Sequence, residues 1–124
     1  MFFIFRHSEK SSYKDKVGKV YHFTDKSPNY KKVKKGSKVL IYKKENNSII
    51  GFAEIKEIKV EKKDKRIHFY AFYKNFKKFK NPLFCDEEIL EKAGINLVLD
   101  GKLPGIIPIT KKSFEMIVRK LVKL

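Results

Sequence analysis

The chain has 124 residues, of which 42% are hydrophobic, so we expect one packed domain over residues 1–124 and exclude a disordered basic tail. It carries 30 Lys and Arg against 14 Asp and Glu, a net charge of +16, and its single cysteine, Cys85, excludes a disulfide framework and a zinc cluster. No apolar run approaches the ~20 residues of a membrane span, and Met1–Phe5 is too short for a signal peptide, so we expect a cytoplasmic protein with no membrane partner.

The positive charge is concentrated in the first two thirds of the chain. Residues 1–80 hold 23 basic and 8 acidic residues, whereas residues 81–124 hold 7 and 6. Charge that served solubility alone would be spread more evenly, so this distribution indicates one surface that faces a polyanion. A Lys-rich, thermophilic proteome is the alternative explanation, but thermophiles enrich Glu together with Lys. No basic amphipathic helix is predicted in the basic region, which favours nucleic acid over a membrane.

The first part of the chain predicts short strands separated by polar turns. Aromatic and β-branched residues predict strands at Phe2–Arg6 and Val17–Phe23, joined by the polar loop Ser8–Lys16. A run of turn residues, Asp25–Asn29, ends the second strand, and Tyr30–Lys35 is a connector that stops at Gly36.

The clearest β region follows Gly36. Strands are predicted at Lys38–Tyr42 and, after the turn Glu45–Ser48, at Ile49–Ile55. Beyond Ile55 the apolar residues change phase, which predicts a β-bulge near Lys56–Glu57. Past a charged hairpin tip at Glu61–Lys65, the strand Arg66–Tyr73 has large apolar residues on both faces, which is typical of a central strand.

Helices are predicted only late in the chain. Asp86 is the expected N-cap of a helix at Glu87–Ala93, and Thr110 is the expected N-cap of the last helix. The last helix has an apolar stripe formed by Phe114, Ile117, Val118 and Leu121. Between these helices, Gly101–Pro108 is expected to be a loop that leads into a short extended piece. The sequence therefore predicts an α+β fold, a small mixed β-barrel of five to six strands with flanking helices.

Several stretches, taken together, resemble the PUA-like superfamily, particularly its EVE and YTH branches. These are Phe2–Ser8, Gly18–Phe23, Val39–Tyr42 and Ile50–Ile55, followed by Pro108–Thr110 leading into Phe114. The resemblance implies a domain that binds modified bases, as at the N-terminus of McrBC-type restriction systems. It implies DNA as the partner in preference to RNA, with a AAA+ motor and a nuclease subunit as further partners of the full system.

The resemblance also implies a site in which a base flipped out of the duplex is held. Arg6, His7 and Ser8 would line its rim, and the segment Tyr21–His22–Phe23 would supply an aromatic ring that stacks on the base. Flipping costs a few kcal/mol, which the aromatic ring and the lysine contacts must offset. We take Tyr21 as the stacking residue, because it lies nearer the position of the first cage tryptophan of YTH domains. Which base is held is left open.

Two lysine clusters are candidates for contact with phosphate. The first surrounds Gly36 and consists of Lys31, Lys32, Lys34, Lys35 and Lys38, and the adjacent Tyr30 is a further candidate for contact with nucleic acid. The second, expected in a loop, interleaves Lys74, Lys77, Lys78 and Lys80 with Phe76 and Phe79. The alternative for both is a solvated loop, and for the second cluster the two interpretations are equally supported.

The sequence predicts a binding domain and not an enzyme. Glu54-Ile55-Lys56 and Glu57-Ile58-Lys59 mimic half of a nuclease site, but chance explains such tripeptides in a chain rich in Lys and Glu. No P-loop, nucleophile elbow or Cys–His pairing is present, and we expect neither a metal nor a cofactor. An RNA-binding PUA-like module is the main alternative function, and a small ribonuclease toxin is the third.

Overall fold

A computed structural model describes residues 1–8, 16, 18–85 and 105–122 of the chain. The elements, in chain order, are the strands β1 (Phe2–His7), β2 (Val20–Thr24), β3 (Lys38–Lys43), β4 (Ser48–Lys63), β5 (Arg66–Phe84) and β6 (Ile106–Ile109), followed by the helix α1 (Lys111–Val122). Short 3-10 turns lie at Tyr30–Lys32 and Lys44–Asn46. The predictions for Ser8–Lys16 and for the helix Glu87–Ala93 fall largely or wholly outside the described residues.

The strands form one curled sheet, a half-barrel, in the order β2-β5-β4-β3-β1-β6. The strands β1 and β3 are parallel, and every other neighbouring pair in this sheet is antiparallel. This confirms the predicted α+β fold with a small mixed barrel. None of the helical segments in the described ranges has the length and the apolar character needed to cross a bilayer.

The two faces of the sheet have separate hydrophobic cores. Alternation along β1 points Phe3 and Phe5 into the concave interior, and Ile4 to the convex outer face. On the outer face, α1 packs Phe114 and Ile117 over the sheet. Thr110 is the N-cap of α1, as predicted, since its hydroxyl oxygen accepts a hydrogen bond of 3.0 Å from the backbone N–H of Ser113.

The strands β4 and β5 form a hairpin much longer than the sequence predicts. Its tip is a tight turn in which Asp64 and Lys65 have φ values of 54° and 62°. The predicted bulge is confirmed by a register shift between Ile55 and Glu57. The prediction of a loop around Lys74–Lys80 is wrong, because these residues belong to β5. Two further register shifts, between Ile49 and Gly51 and between Phe52 and Glu54, leave extra residues in β5, so the period-2 pattern of this strand is interrupted in the sequence.

Candidate nucleic-acid interface

Exposed lysines lie in the connection from β2 to β3 and at the first residue of β3. These five are Lys31, Lys32, Lys34, Lys35 and Lys38. We call these five residues the lysine segment. None of them forms an ion pair in the part of the chain that the structure describes. The acids that flank the segment in sequence have other contacts: Asp25 lies 3.9 Å from Arg66, and Glu45 accepts a hydrogen bond from Ser8. The positive charge of the segment is therefore not neutralised locally.

The backbone that carries these lysines is anchored to the half-barrel. Lys34–Ser37 is a β-turn in which Gly36 has a φ of 88°, a conformation that favours glycine, and the Ser37 N–H donates to the Lys34 carbonyl at 3.0 Å. Gly36 and Ser37 also exchange backbone hydrogen bonds of 2.9 and 2.8 Å with Ile55 of β4. Before this turn, the ring of Tyr30 packs against Phe69 at 5.4 Å. The lysines thus project from a fixed scaffold, which reduces the ordering cost of binding.

A second group of polar residues lies in the interior, at the end of β1. His7 is 1% exposed, and its Nε2 shares a hydrogen bond of 2.7 Å with the Tyr73 hydroxyl. The ring of Tyr21 lies 5.0 Å from the imidazole of His7. Burial lowers the pKa of His7 from 6.5 to about 4, so the imidazole is neutral at pH 7 and can donate one hydrogen bond and accept another.

The structure corrects the expectation that Tyr21 lies open to a base. Tyr21 is 4% exposed and stacks on Phe5 at a centroid distance of 4.6 Å, while Phe23 belongs to the same core. A Cβ on residue 105 would clash with the hydroxyl of Tyr21, so Gly105 is needed for this packing. A base can stack on Tyr21 only after these side chains move.

His22 points to the outer face, opposite to Tyr21, as the alternation along β2 predicts. Its ring stacks on Tyr70 at 4.5 Å, and its Nε2 hydrogen-bonds the Nδ1 of His68 at 2.8 Å. Only 5% of His22 is exposed, so it too is inaccessible to a base in this structure. His22 and the lysine segment are therefore not parts of one open pocket.

The two remaining predicted rim residues lie beside the interior group. The backbone N–H of Arg6 donates to the Gly105 carbonyl at 2.9 Å, and the Ser8 hydroxyl donates to Glu45 at 2.7 Å. The sequence prediction did not identify Tyr73 as the partner of His7, 66 residues away in the chain. The available signal was the alternation on β5, which places Tyr73 on the same face as Phe69 and Ala71.

Comparison with solved structures identifies the fold. A serine-to-alanine mutant of an ASCH protein from Zymomonas mobilis superposes with a TM-score of 0.67 at 11% identity, covering 96% of this chain and 95% of that chain. A second structure of ASCH from Zymomonas mobilis gives a TM-score of 0.63 at 12% identity, with coverage of 95% and 94%. No protein-family model matches the sequence, and no curated protein matches it either. This chain therefore has the half-barrel fold of these ASCH structures, which agrees with the predicted PUA-like fold.

Proposed function

We propose that this chain is a nucleic-acid-binding domain that contacts the phosphate backbone through the lysine segment. The observation that carries the proposal is that five exposed lysines stand on an anchored backbone with no carboxylate paired to them in the described ranges. Such cations bind phosphates with release of counterions, which supplies affinity for any sequence. In this proposal the chain carries no catalytic step, and any catalysis belongs to other domains or subunits.

We propose further that the interior group of His7, Tyr21 and Tyr73 is where an extruded base is held. Polar aromatic side chains are costly to place in an apolar interior unless they are hydrogen-bonded, and three of them meet here. A neutral imidazole and two tyrosine hydroxyls offer both donors and acceptors to the edge of a base. Because Phe5 stacks on Tyr21, the base enters only when this end of the half-barrel opens.

Duplex DNA with a modified base is the partner that the sequence resemblance favours, as for the recognition domain of a restriction motor. Competition between modified duplex, plain duplex and structured RNA for the full chain tests both levels of the proposal. Preference for the modified duplex supports base holding, and equal affinity for the two duplexes contradicts it. Tightest binding to RNA would mean that RNA, and not DNA, is the partner. Failure to bind any of the three contradicts the proposal that the chain binds nucleic acid.

A further inference from the structure

A groove of about 530 Å³ lies on the outer face of the sheet, beside the first turns of α1. Its lining includes Lys38 of β3, Phe52 and Glu54 of β4, Asn75 and Lys77 of β5, and Phe114 of α1. The volume lies within the range of small-ligand sites, ~300–1,000 Å³. The groove is on the opposite face of the sheet from His7 and Tyr73, so it is separate from the interior group.

Three aromatic residues line the groove: Phe52 and Phe76, which are half-buried, and Phe114, which is buried. The ring proposed for stacking is that of Phe52, which lies between the lysines. Phe79 packs against it at 5.6 Å, and the ring of Phe114 meets it edge-on at 6.3 Å. These contacts hold the ring in place from below while part of it lines the groove. A fixed, partly exposed aromatic ring is a surface on which a base can stack, whatever the base.

The charges around Phe52 come from three neighbouring strands. Lys38 is opposite Glu54 in the sheet, and Glu54 is opposite Lys74, to which it is paired at 3.5 Å. Lys77 is opposite Phe52, with its Nζ 6.0 Å from the ring centroid. Glu54 is the acid that lines the groove, and Lys74 offsets its charge. Lys38 and Lys77 stand on strands separated only by β4, so their backbones are about 10 Å apart across the sheet.

A β-bulge places both Lys74 and Lys77 of β5 on this face. Lys74 and Lys77 are an odd number of residues apart, so regular alternation would direct them to opposite faces. The register shift between Phe52 and Glu54 sets four residues of β5, from Lys74 to Lys77, against three of β4, and Asn75 in the shift has a φ of 54°. The bulge therefore gathers cations beside Phe52 that an uninterrupted strand would separate.

We propose that this groove binds a single-stranded stretch of nucleic acid, with one base on Phe52 and adjacent phosphates at Lys38 and Lys77. The proposal rests on the proposed function, and it adds a second contact surface that continues from the lysine segment through Lys38. A single strand fits because its bases are free to stack on a protein ring, whereas those of a duplex are stacked on one another. The net positive rim of the groove complements the strand's phosphates.

The test measures fluorescence anisotropy of the full chain with a labelled oligothymidylate, an oligouridylate and a duplex. Phe52→Leu keeps an apolar side chain against Phe79 but removes the ring, and it is expected to weaken single-strand binding about fivefold or more, with duplex binding unchanged. Phe84→Leu is the matched control, since Phe84 is 57% exposed on β5 and outside the groove, and it should bind as the wild type does. The exposed double variant Lys38→Ser/Lys77→Ser, which leaves the core intact, should also lose single-strand affinity.

Photocrosslinking with an iodouracil-substituted strand locates the contact, and the crosslink is expected at Phe52. Single-strand affinity that is unchanged in both Phe52→Leu and the double lysine variant overturns the groove proposal, as does a crosslink found only at Tyr21 or Tyr73. If the wild type binds duplex and no single strand, the groove proposal fails and the proposed function stands. If it binds neither, the proposed function itself fails, and the groove proposal fails with it.

Discussion

The Nε2 of His7 lies 2.7 Å from the hydroxyl oxygen of Tyr73, a hydrogen bond that crosses the interior of the half-barrel. The two residues belong to β1 and β5, which are separated in the sheet by β3 and β4. The bond therefore joins two strands that are not hydrogen-bonded to each other through their backbones. Burial lowers the pKa of the His7 imidazole from 6.5 to about 4.

The first prediction is that stability falls in acid because of His7. Between pH 6.5 and about 4 the unfolded chain binds a proton at this residue and the folded chain does not, so the free energy of unfolding decreases as the pH falls through that interval. The loss from this group is at most about 3 kcal/mol, and above pH 6.5 the group has no effect on the pH dependence. Urea unfolding at several pH values measures it.

The control for this prediction is a pair of variants. Tyr73→Phe keeps the buried imidazole and should keep the acid dependence, while it loses about 1–2 kcal/mol of stability at pH 7 because Nε2 loses a partner. His7→Gln should flatten the pH dependence between 6.5 and 4. An acid dependence that is the same in His7→Gln as in the wild type would show that other groups cause it.

The second prediction compares two glycines that are needed for different reasons. A Cβ at Gly51 would clash with the Lys77 carbonyl oxygen and lie 2.9 Å from the Phe76 ring, so Gly51→Ala forces the β4–β5 ladder apart and should cost about 3 kcal/mol. A Cβ at Gly36 meets nothing within 4 Å. Gly36→Ala should therefore lose only about 1–2 kcal/mol of stability, because alanine is strained at a φ of 88°. Thermal melts of the two variants should rank in that order, and the reverse ranking contradicts the prediction.

The third prediction concerns Asn47, which joins the β3–β4 turn to the end of β5. It has a left-handed conformation, accepts a hydrogen bond from the Tyr42 hydroxyl, and donates to the Cys85 carbonyl at 3.1 Å. Asn47→Gly keeps the conformation and loses both side-chain bonds, for a cost of about 1–3 kcal/mol. Asn47→Ala should cost about 1 kcal/mol more, because alanine is strained at this φ. Equal melting temperatures for the two variants would show that the backbone conformation carries no cost.

The fold was predictable wherever a local pattern decides the structure. The aromatic strand Phe2–Arg6, the phase change after Ile55 and the cap at Thr110 each depend on residues close in sequence. The second half of β5 was not predictable, because its alternation is interrupted by bulges that only the pairing with β4 explains. The groove could not be predicted for the same reason, since Lys74 and Lys77 lie on one face of the sheet only because of a bulge.

The candidate sites divide in the same way. The lysine segment could be found from the sequence, because a run of lysines around Gly36 in a turn is exposed whatever the fold. The burial of Tyr21 could not be predicted from the sequence, although the alternation along β2 does place Tyr21 and His22 on opposite faces of the sheet. Its burial is set by Phe5 and His7, which come from β1, and by the close approach of Gly105.

The last prediction tests where the phosphates bind. If the lysine segment neutralises them, the logarithm of duplex affinity falls with the logarithm of salt concentration, with a slope of about −0.9 for each phosphate contacted. Replacing Lys31, Lys32, Lys34 and Lys35 together by Ser should flatten that slope by up to about 3.6 and weaken binding to all sequences alike. The four side chains are exposed and have no ion pair in the described ranges, so the melting temperature should stay close to that of the wild type.

A variant with Lys59, Lys62, Lys63 and Lys65 replaced by Ser is the matched control, because it removes the same charge from the exposed β4–β5 hairpin. Net charge alone would lower affinity equally in both variants, whereas a localised phosphate site lowers it mainly in the first. A flattened slope in the hairpin variant with a wild-type slope in the other would place the phosphate contacts at the hairpin instead of the lysine segment.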